Sequence, residues 1–240
     1  MQRTGKKVFS VIMGIIIAIA MIICAMYAMG AFTVHTEEYV TNQKNEFGDT
    51  YTGNLYDGIM TGQATLIFSS GDRYVGDFEN GDFNGKGVYT SVKGWSYTGD
   101  FSKGKPHGDG VFADVRGSIY SGNFDAGEMT GTGHFSIPES WNYKGAWDHG
   151  AVTGSGRFEY VDGSVYEGEF KDGVAQGQGE YTDAGGWSYR GSFSQGLFDG
   201  HGSLVHPNGE VTESMWDMGV SVRDGSTESP PDPSPETEEG

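Results

Sequence analysis

A chain of 240 residues with 41 glycines, a single cysteine and a formal net charge of -18 does not have the composition of an ordinary globular domain. The glycines follow no Gly-x-y triplet and the body is not proline-rich, which excludes collagen, disfavours a linker and leaves a repetitive β-structure in which glycine has fixed steric jobs. Cys24 alone can form neither an intramolecular disulfide nor a thiolate metal site, and the acidic balance argues against nucleic acid, whose phosphates require a basic surface.

Residues 1–7 form a short basic head carrying Arg3, Lys6 and Lys7. Residues 8–32 follow without a charge, and at about 1.5 Å rise per residue they exceed the roughly 30 Å hydrocarbon layer, so a tilted transmembrane helix is expected. A cleaved signal peptide, cut near Ala28-Met29-Gly30, is the alternative, although its apolar core is usually only about 7–15 residues. The basic head against Glu37 and Glu38 places the N-terminus inside and the C-terminal region outside the cytoplasm of a single-pass cell-membrane protein. Residues 33–50 read as a connector whose last part supplies a capping strand, because Gly48 falls in register with Gly71 one unit later. At the far end, residues 223–240 are acidic and rich in proline, and they are expected to form a solvated, disordered tail.

Between these ends, over 51–222, one pattern recurs every 23 residues. Tyr stands at 51, 74, 97, 120, 143, 166 and 189, each followed two residues later by Gly. An aromatic or Leu occupies the fifth position (Leu55, Phe78, Phe101, Phe124, Trp147, Phe170, Phe193, Trp216), and Gly-x-Gly pairs such as Gly85-x-Gly87 and Gly108-x-Gly110 come later. Seven units are complete; an eighth, Thr212–Gly219, is degenerate, as expected of a terminal repeat.

Within one unit Tyr74, Gly76 and Phe78 alternate, and so do Gly85, Gly87 and Tyr89; period two places each set on one face of an extended strand. The intervening E-N-G-D-F-N reads as a turn, and S-V-K-G as a second one. Each unit is thus a hairpin, successive hairpins pair edge to edge, and the core lies between neighbours rather than within a repeat. The expectation is an all-β, elongated, single antiparallel array of tandem hairpins, preceded by one transmembrane helix.

Tyr-x-Gly-x-aromatic-x-x-Gly-x-x-x-Gly-x-Gly resembles the MORN (membrane occupation and recognition nexus) repeat, Tyr97-Thr-Gly99-Asp-Phe101 with Gly108-Asp-Gly110 being a full example. The resemblance covers residues 51–219, with Ala64 and Ser140 replacing expected glycines. It implies a twisted antiparallel β-array used for membrane association, protein contacts or self-assembly. The family also occurs beside lipid-kinase and methyltransferase domains, for which this chain has no residues to spare.

The histidines, at 35, 107, 134, 149, 201 and 206, fall at different positions of the repeat and read as scattered, solvated residues. No P-loop, nucleotide-binding strand-to-helix turn, nucleophile elbow or calcium loop is present, so neither an enzyme, a cofactor nor a metal is expected. Residues 51–219 hold 23 acidic and 10 basic side chains, which also disfavours direct capture of acidic lipid headgroups.

A second period, of 46 residues, is superposed. Trp95, Trp141 and Trp187 occupy the place two before the repeat Tyr, where other units have Asp72, Ser118, Ser164 and Glu210; the next residue is Ser96, Asn142 or Ser188. Two readings are open: rings packed over turns at the sheet margin, or a ladder of aromatic platforms roughly 19 Å apart, each with a polar neighbour, for an extended ligand or partner. The chain is therefore expected to be a membrane-anchored, non-catalytic binding or scaffolding module, with the bilayer as partner through residues 8–32 and a protein, or itself, as partner of the array. The alternatives are a structural spacer or self-associating rod, and an extracytoplasmic glycan-binding module using the Trp ladder.

Overall fold

Asn80 and Gly81 have φ of 53° and 85° in the computed structural model, which describes residues 35–222. Two consecutive left-handed residues make the type I′ turn, whose twist matches that of the strands it joins. β4 (Arg73–Glu79) therefore returns at once as β5 (Asp82–Thr90). The same two-residue device joins β2 (Thr50–Tyr56) to β3 (Ile59–Ile67), β6 (Ser96–Ser102) to β7 (Lys105–Ala113) and β8 (Ile119–Asp125) to β9 (Glu128–Ile137). Further along it joins β10 (Trp141–Asp148) to β11 (Ala151–Tyr160), β12 (Val165–Lys171) to β13 (Val174–Thr182) and β14 (Ser188–Ser194) to β15 (Leu197–Val205). The turn is much tighter than the stretch read from E-N-G-D-F-N, because Asp82, Phe83 and Asn84 already belong to β5.

Each strand pairs antiparallel with the next, so the hairpins form one continuous meander. Ahead of the first unit, β1 (Glu37–Lys44) pairs with β2; after the last, β16 (Val211–Asp217) pairs with β15 and with the two-residue β17 (Val220–Ser221). Turn glycines stitch neighbouring hairpins: Gly104 N–H donates to the Phe83 carbonyl and Gly127 N–H to that of Pro106, at 3.0 and 2.9 Å. At Ser140, where the expected glycine is missing, the left-handed residue is Glu139, one place earlier.

The glycine pairs and the tyrosines form a single device. Gly76 pairs with Gly87 and then Phe78 with Phe83, so Asn84-Gly85-Lys86 stand against Asp77 alone. This bulge is possible because Gly85 takes φ 62°. Tyr74 lies flat over the Gly76–Gly87 step, and its hydroxyl donates to the Asp77 carbonyl at 2.9 Å. Tyr97 repeats the bond to Asp100, Tyr120 to Asn123 and Tyr166 to Glu169. The fifth-position aromatic then meets two tyrosines edge-on: Phe101 touches Tyr74 at 5.1 Å and Tyr97 at 5.0 Å between centroids. This herringbone between units is the core, and Tyr74, Tyr120, Tyr143 and Tyr189 are fully buried in it.

Among the described residues no helix is long and apolar enough to cross a membrane. The helix expected over 8–32 and the tail expected over 223–240 both lie outside the described residues.

Candidate functional site

Strand alternation separates two faces. The aromatic face carries the tyrosine herringbone, and along its margin, above the longer turns, runs a second row of rings that is only half covered. Trp95, Trp141 and Trp187 belong to this row, all half-buried. Trp95 lies parallel to Tyr89 (5.0 Å, 10°) and tilts against Phe112 at 6.1 Å. Trp141 sits between Phe135 (5.3 Å) and Phe158 (4.9 Å), and Trp187 between Tyr181 (5.2 Å) and Phe198 (6.2 Å). Each tryptophan thus bridges consecutive strands and keeps part of its surface free.

The slot between successive tryptophans is filled differently. Ser118 and Ser164 occupy it, and they are only 4% and 3% exposed. A small side chain fully covered in every second slot, with a large half-exposed ring in the others, is the large–small alternation by which close packing fills a row. The 46-residue period therefore has a physical basis. At the N-terminal end Asp72 takes the slot, accepting hydrogen bonds from the Tyr89 hydroxyl, the Ser91 hydroxyl and the Val92 N–H at 2.8–3.0 Å.

Ser96, Asn142 and Ser188 do not accompany the rings. Trp141 and Asn142 are consecutive in β10, so their side chains point to opposite faces, and Ser96 and Ser188 likewise open their strands on the far side. The structure brings the three tryptophans onto one margin and leaves their polar neighbours on the other surface.

That other surface is polar, and two rows of side chains flank its line of glycines. One row passes in register from Val88 through Thr98, Val111 and Ser121 to His134, Lys144 and Arg157, then to Glu167. The second row is bridged by side-chain hydrogen bonds between units, Lys86 to Asp100, Asn123 to Asp109 and Gln178 to Ser192. Between the last two bridges it narrows to Thr132, Ala146 and Ser155 before it reaches Glu169, the register partner of Ser155. There a groove of about 720 Å3 opens over β9–β12, lined by His134, Lys144, Arg157, Ser155 and Glu167 with glycine backbone as its floor. Arg157 bonds Glu159 and Glu167 at 2.9 and 3.2 Å, while among the described residues no partner holds the Lys144 or His134 side chain. Neither the groove nor its basic side chains were legible from spacing alone. His134 and Arg157 share one repeat position, 23 residues apart, but Lys144 holds another, and only the pairing of Gly145 with Gly133 and Gly156 sets it between them.

The remaining histidines that meet carboxylates do so at the exposed hairpin tips. His35 reaches Asp57 at 2.6 Å, His107 Asp125 at 3.2 Å and His149 Glu128 at 2.7 Å. The hydrogen bond to Glu128, with Asp148 and Glu128 charge nearby, raises the His149 pKa. Exposed pairs of this kind contribute little to stability. Among the described residues no group of three or more His, Cys, Asp or Glu is placed to hold a metal ion.

The profile of the MORN repeat family matches residues 51–73, 74–96, 97–119, 120–139, 143–165, 166–188 and 189–211, one match for each hairpin. No curated protein matches the chain. Similar solved structures include the TCP domain of Drosophila melanogaster SAS-4 (dCPAP) in complex with a proline-rich motif of Ana2 (dSTIL). It shares 10% identity over 78% of this chain and 92% of that one, at a TM-score of 0.43. The TCP10 domain of Danio rerio CPAP in complex with a STIL peptide shares 12% over 75% and 100%, at 0.21. Staphylococcus aureus virginiamycin B lyase shares 11% over 76% and 60%, at 0.17. All three likenesses are distant and carry nothing about function.

Proposed function

The chain belongs to the MORN repeat family, and on that premise we propose that it is a membrane-anchored, non-catalytic scaffolding or binding module that presents its array outside the cytoplasm to a protein partner. The observation that carries the binding role is the half-covered row of rings on the aromatic margin. A row needed only for the core would be buried like the tyrosine herringbone, which is 0–6% exposed at the seven repeat tyrosines. Here the rings alternate with exposed turn residues, Val92 at 65%, Val115 at 72% and Val161 at 71%. An aromatic margin edged by apolar side chains is the kind of surface that protein interfaces use.

A glycan platform needs an open ring face. Trp95 and Trp141 each have one face covered by Tyr89 or Phe158, which suits them better to side-chain contacts than to stacking along a sugar chain. Self-association has one observation in its favour: the outer edge of β1 pairs with no other described strand, and Tyr39 on it is 65% exposed.

Replacing Trp95, Trp141 and Trp187 together with Ala tests the margin. Because each ring is half-buried, each truncation should cost about 2 kcal/mol, less than the roughly 3–5 of a core ring. Cross-linking on intact cells followed by mass spectrometry should then lose the products that involve residues near the margin. An unchanged cross-link pattern in a variant that keeps its β-sheet circular dichroism would refute the margin as the binding surface.

The anchor rests on the 25 uncharged residues of 8–32, and the orientation on Arg3, Lys6 and Lys7 against Glu37 and Glu38. Protease added to intact cells should remove the array and leave a membrane-embedded N-terminal fragment. Protection of the array until the membrane is opened would reverse the orientation, and release of soluble protein lacking residues 1–30 would show a cleaved signal instead.

A further inference from the structure

The polar-face groove is a local departure from an otherwise regular scaffold, and two departures coincide in it. On the same three strands, β9, β10 and β11, one row becomes His134, Lys144 and Arg157 while the other shrinks to Thr132, Ala146 and Ser155. Repetition explains neither change. Together they open a trough with a side-chain-free floor, in which the Lys144 ammonium has no partner among the described residues, in a chain whose net charge is -18.

We propose that this groove holds the chain's own acidic segment, residues 223–240, whose carboxylates meet Lys144, Arg157 and His134. Three observations support this occupant. The first is where the described chain ends. Val222 donates its N–H to the Met215 carbonyl at 2.9 Å and lines, with His201, Glu213 and Met215, a second hollow of about 370 Å3. His201, Glu213 and Met215 belong to the polar face, so Val222, the last described residue, stands on the groove's side of the sheet.

The second is reach. From β17 to β11 is six strand spacings, about 29 Å at 4.8 Å each, whereas the 14 residues from 223 to Glu236 can span about 46 Å at 3.3 Å each. The third is charge. The segment carries Asp224, Glu228, Asp232, Glu236, Glu238 and Glu239 against Arg223 alone. Glu159 and Glu167 beside the groove are already held by Arg157, which leaves the Lys144 ammonium for an incoming carboxylate. A tethered segment has an effective concentration of the order of millimolar, so even a contact with a Kd near 1 mM would be substantially occupied.

Disulfide trapping in the full chain tests the proposal. In a Cys24→Ser background, Ser155→Cys in the groove is combined with Ser234→Cys in the segment. The control pair, Thr65→Cys with Ser234→Cys, uses the same face, but β3 lies about 67 Å from β17, beyond the roughly 40 Å reach of residue 234. Mild oxidation of the detergent-solubilised protein should give an internal cross-link of monomer mass for the first pair only. Lys144→Glu, at an exposed side chain, should lower that yield about fivefold, and Glu236→Lys, Glu238→Lys and Glu239→Lys in the same chain should restore it. Lys144→Gln, retaining the melting temperature, should give an intermediate yield. A yield indifferent to Lys144→Glu, a charge swap that fails to restore it, or a product only of dimer mass would each overturn the proposal.

Discussion

Raising the pH from 10 to 12 should unfold the array steeply, because its tyrosines are held neutral by the packing that buries them. Burial pushes the Tyr120 and Tyr143 hydroxyls up to about 12. Burial does the same for Tyr97 and Tyr189, with the Asp100 and Asp199 charges adding to it, and raises Tyr74 and Tyr166 further still. An unfolded tyrosine titrates near 10. Above that pH the unfolded chain binds fewer protons than the folded one, so stability is fully present below pH 10 and falls as the pH climbs towards the folded values. Each tyrosine contributes about 1.4 kcal/mol per pH unit, and the four at about 12 together contribute about 5 kcal/mol per unit near pH 11. A domain of ordinary stability, about 5–15 kcal/mol, does not survive two such units. Tyrosinate absorbance and β-sheet circular dichroism should therefore change together in one sharp step. Tyr143→Phe should flatten the slope by one group's share while costing about 1 kcal/mol at neutral pH for the lost bond to Ala146. Smooth tyrosine titration near pH 10 with the circular dichroism intact to pH 12 would contradict this account.

The strand pairing was legible because tyrosine, glycine and aromatic alternate with period two inside a period of 23, and the register then aligns glycine with glycine. Turn size was not. The chain pattern around Phe83 reads as a turn, yet Phe83 lies in β5 and stacks on Tyr74 at 3.7 Å between centroids, as Phe198 does on Tyr189. The signal was in the chain: the same position is Met60, Phe83, Pro106, Met129, Val152, Ala175 and Phe198, apolar throughout. It is inconspicuous because side chains of very different size serve one purpose there, which is to lie over the tyrosine row from the next strand. Ser96, Asn142 and Ser188 adjoin the tryptophans in the chain, and adjacency in a strand means opposite faces. The basic side chains of the groove are neighbours only through the strand pairing that sets Lys144 opposite both His134 and Arg157, a register that composition and spacing do not contain.

Gly110→Val should be among the most damaging single substitutions in the array. A Cβ at residue 110 would stand 2.6 Å from both Cε2 and Cζ of Tyr97. The crowded partner is thus Tyr97, and not Phe112, the ring nearest in the chain. Tyr97 has nowhere to go: it is 2% exposed, with Phe101 and Phe124 edge-on to it at 5.0 Å. Displacing it breaks its hydrogen bond to the Asp100 carbonyl and opens the contacts with both neighbouring units. Overpacking alone costs about 1–3 kcal/mol, and the lost bond adds about 1, so a loss of about 3–4 kcal/mol is expected. Ala64 shows that a methyl group is accommodated in the equivalent slot of the first unit, so Gly110→Ala should cost less than Val. Thr98→Val is the control. Residue 98 adjoins Tyr97 but sits on the polar face between Val88 and Val111, where a β-branched side chain fits, and the change should stay within about 0.5 kcal/mol. If the ring is the obstacle, Gly110→Val should cost about 2 kcal/mol less in a Tyr97→Ala chain than in the native one. Thermal melts giving Gly110→Val and Thr98→Val the same stability, or equal costs in the two backgrounds, would remove the tyrosine as the reason for glycine at this position.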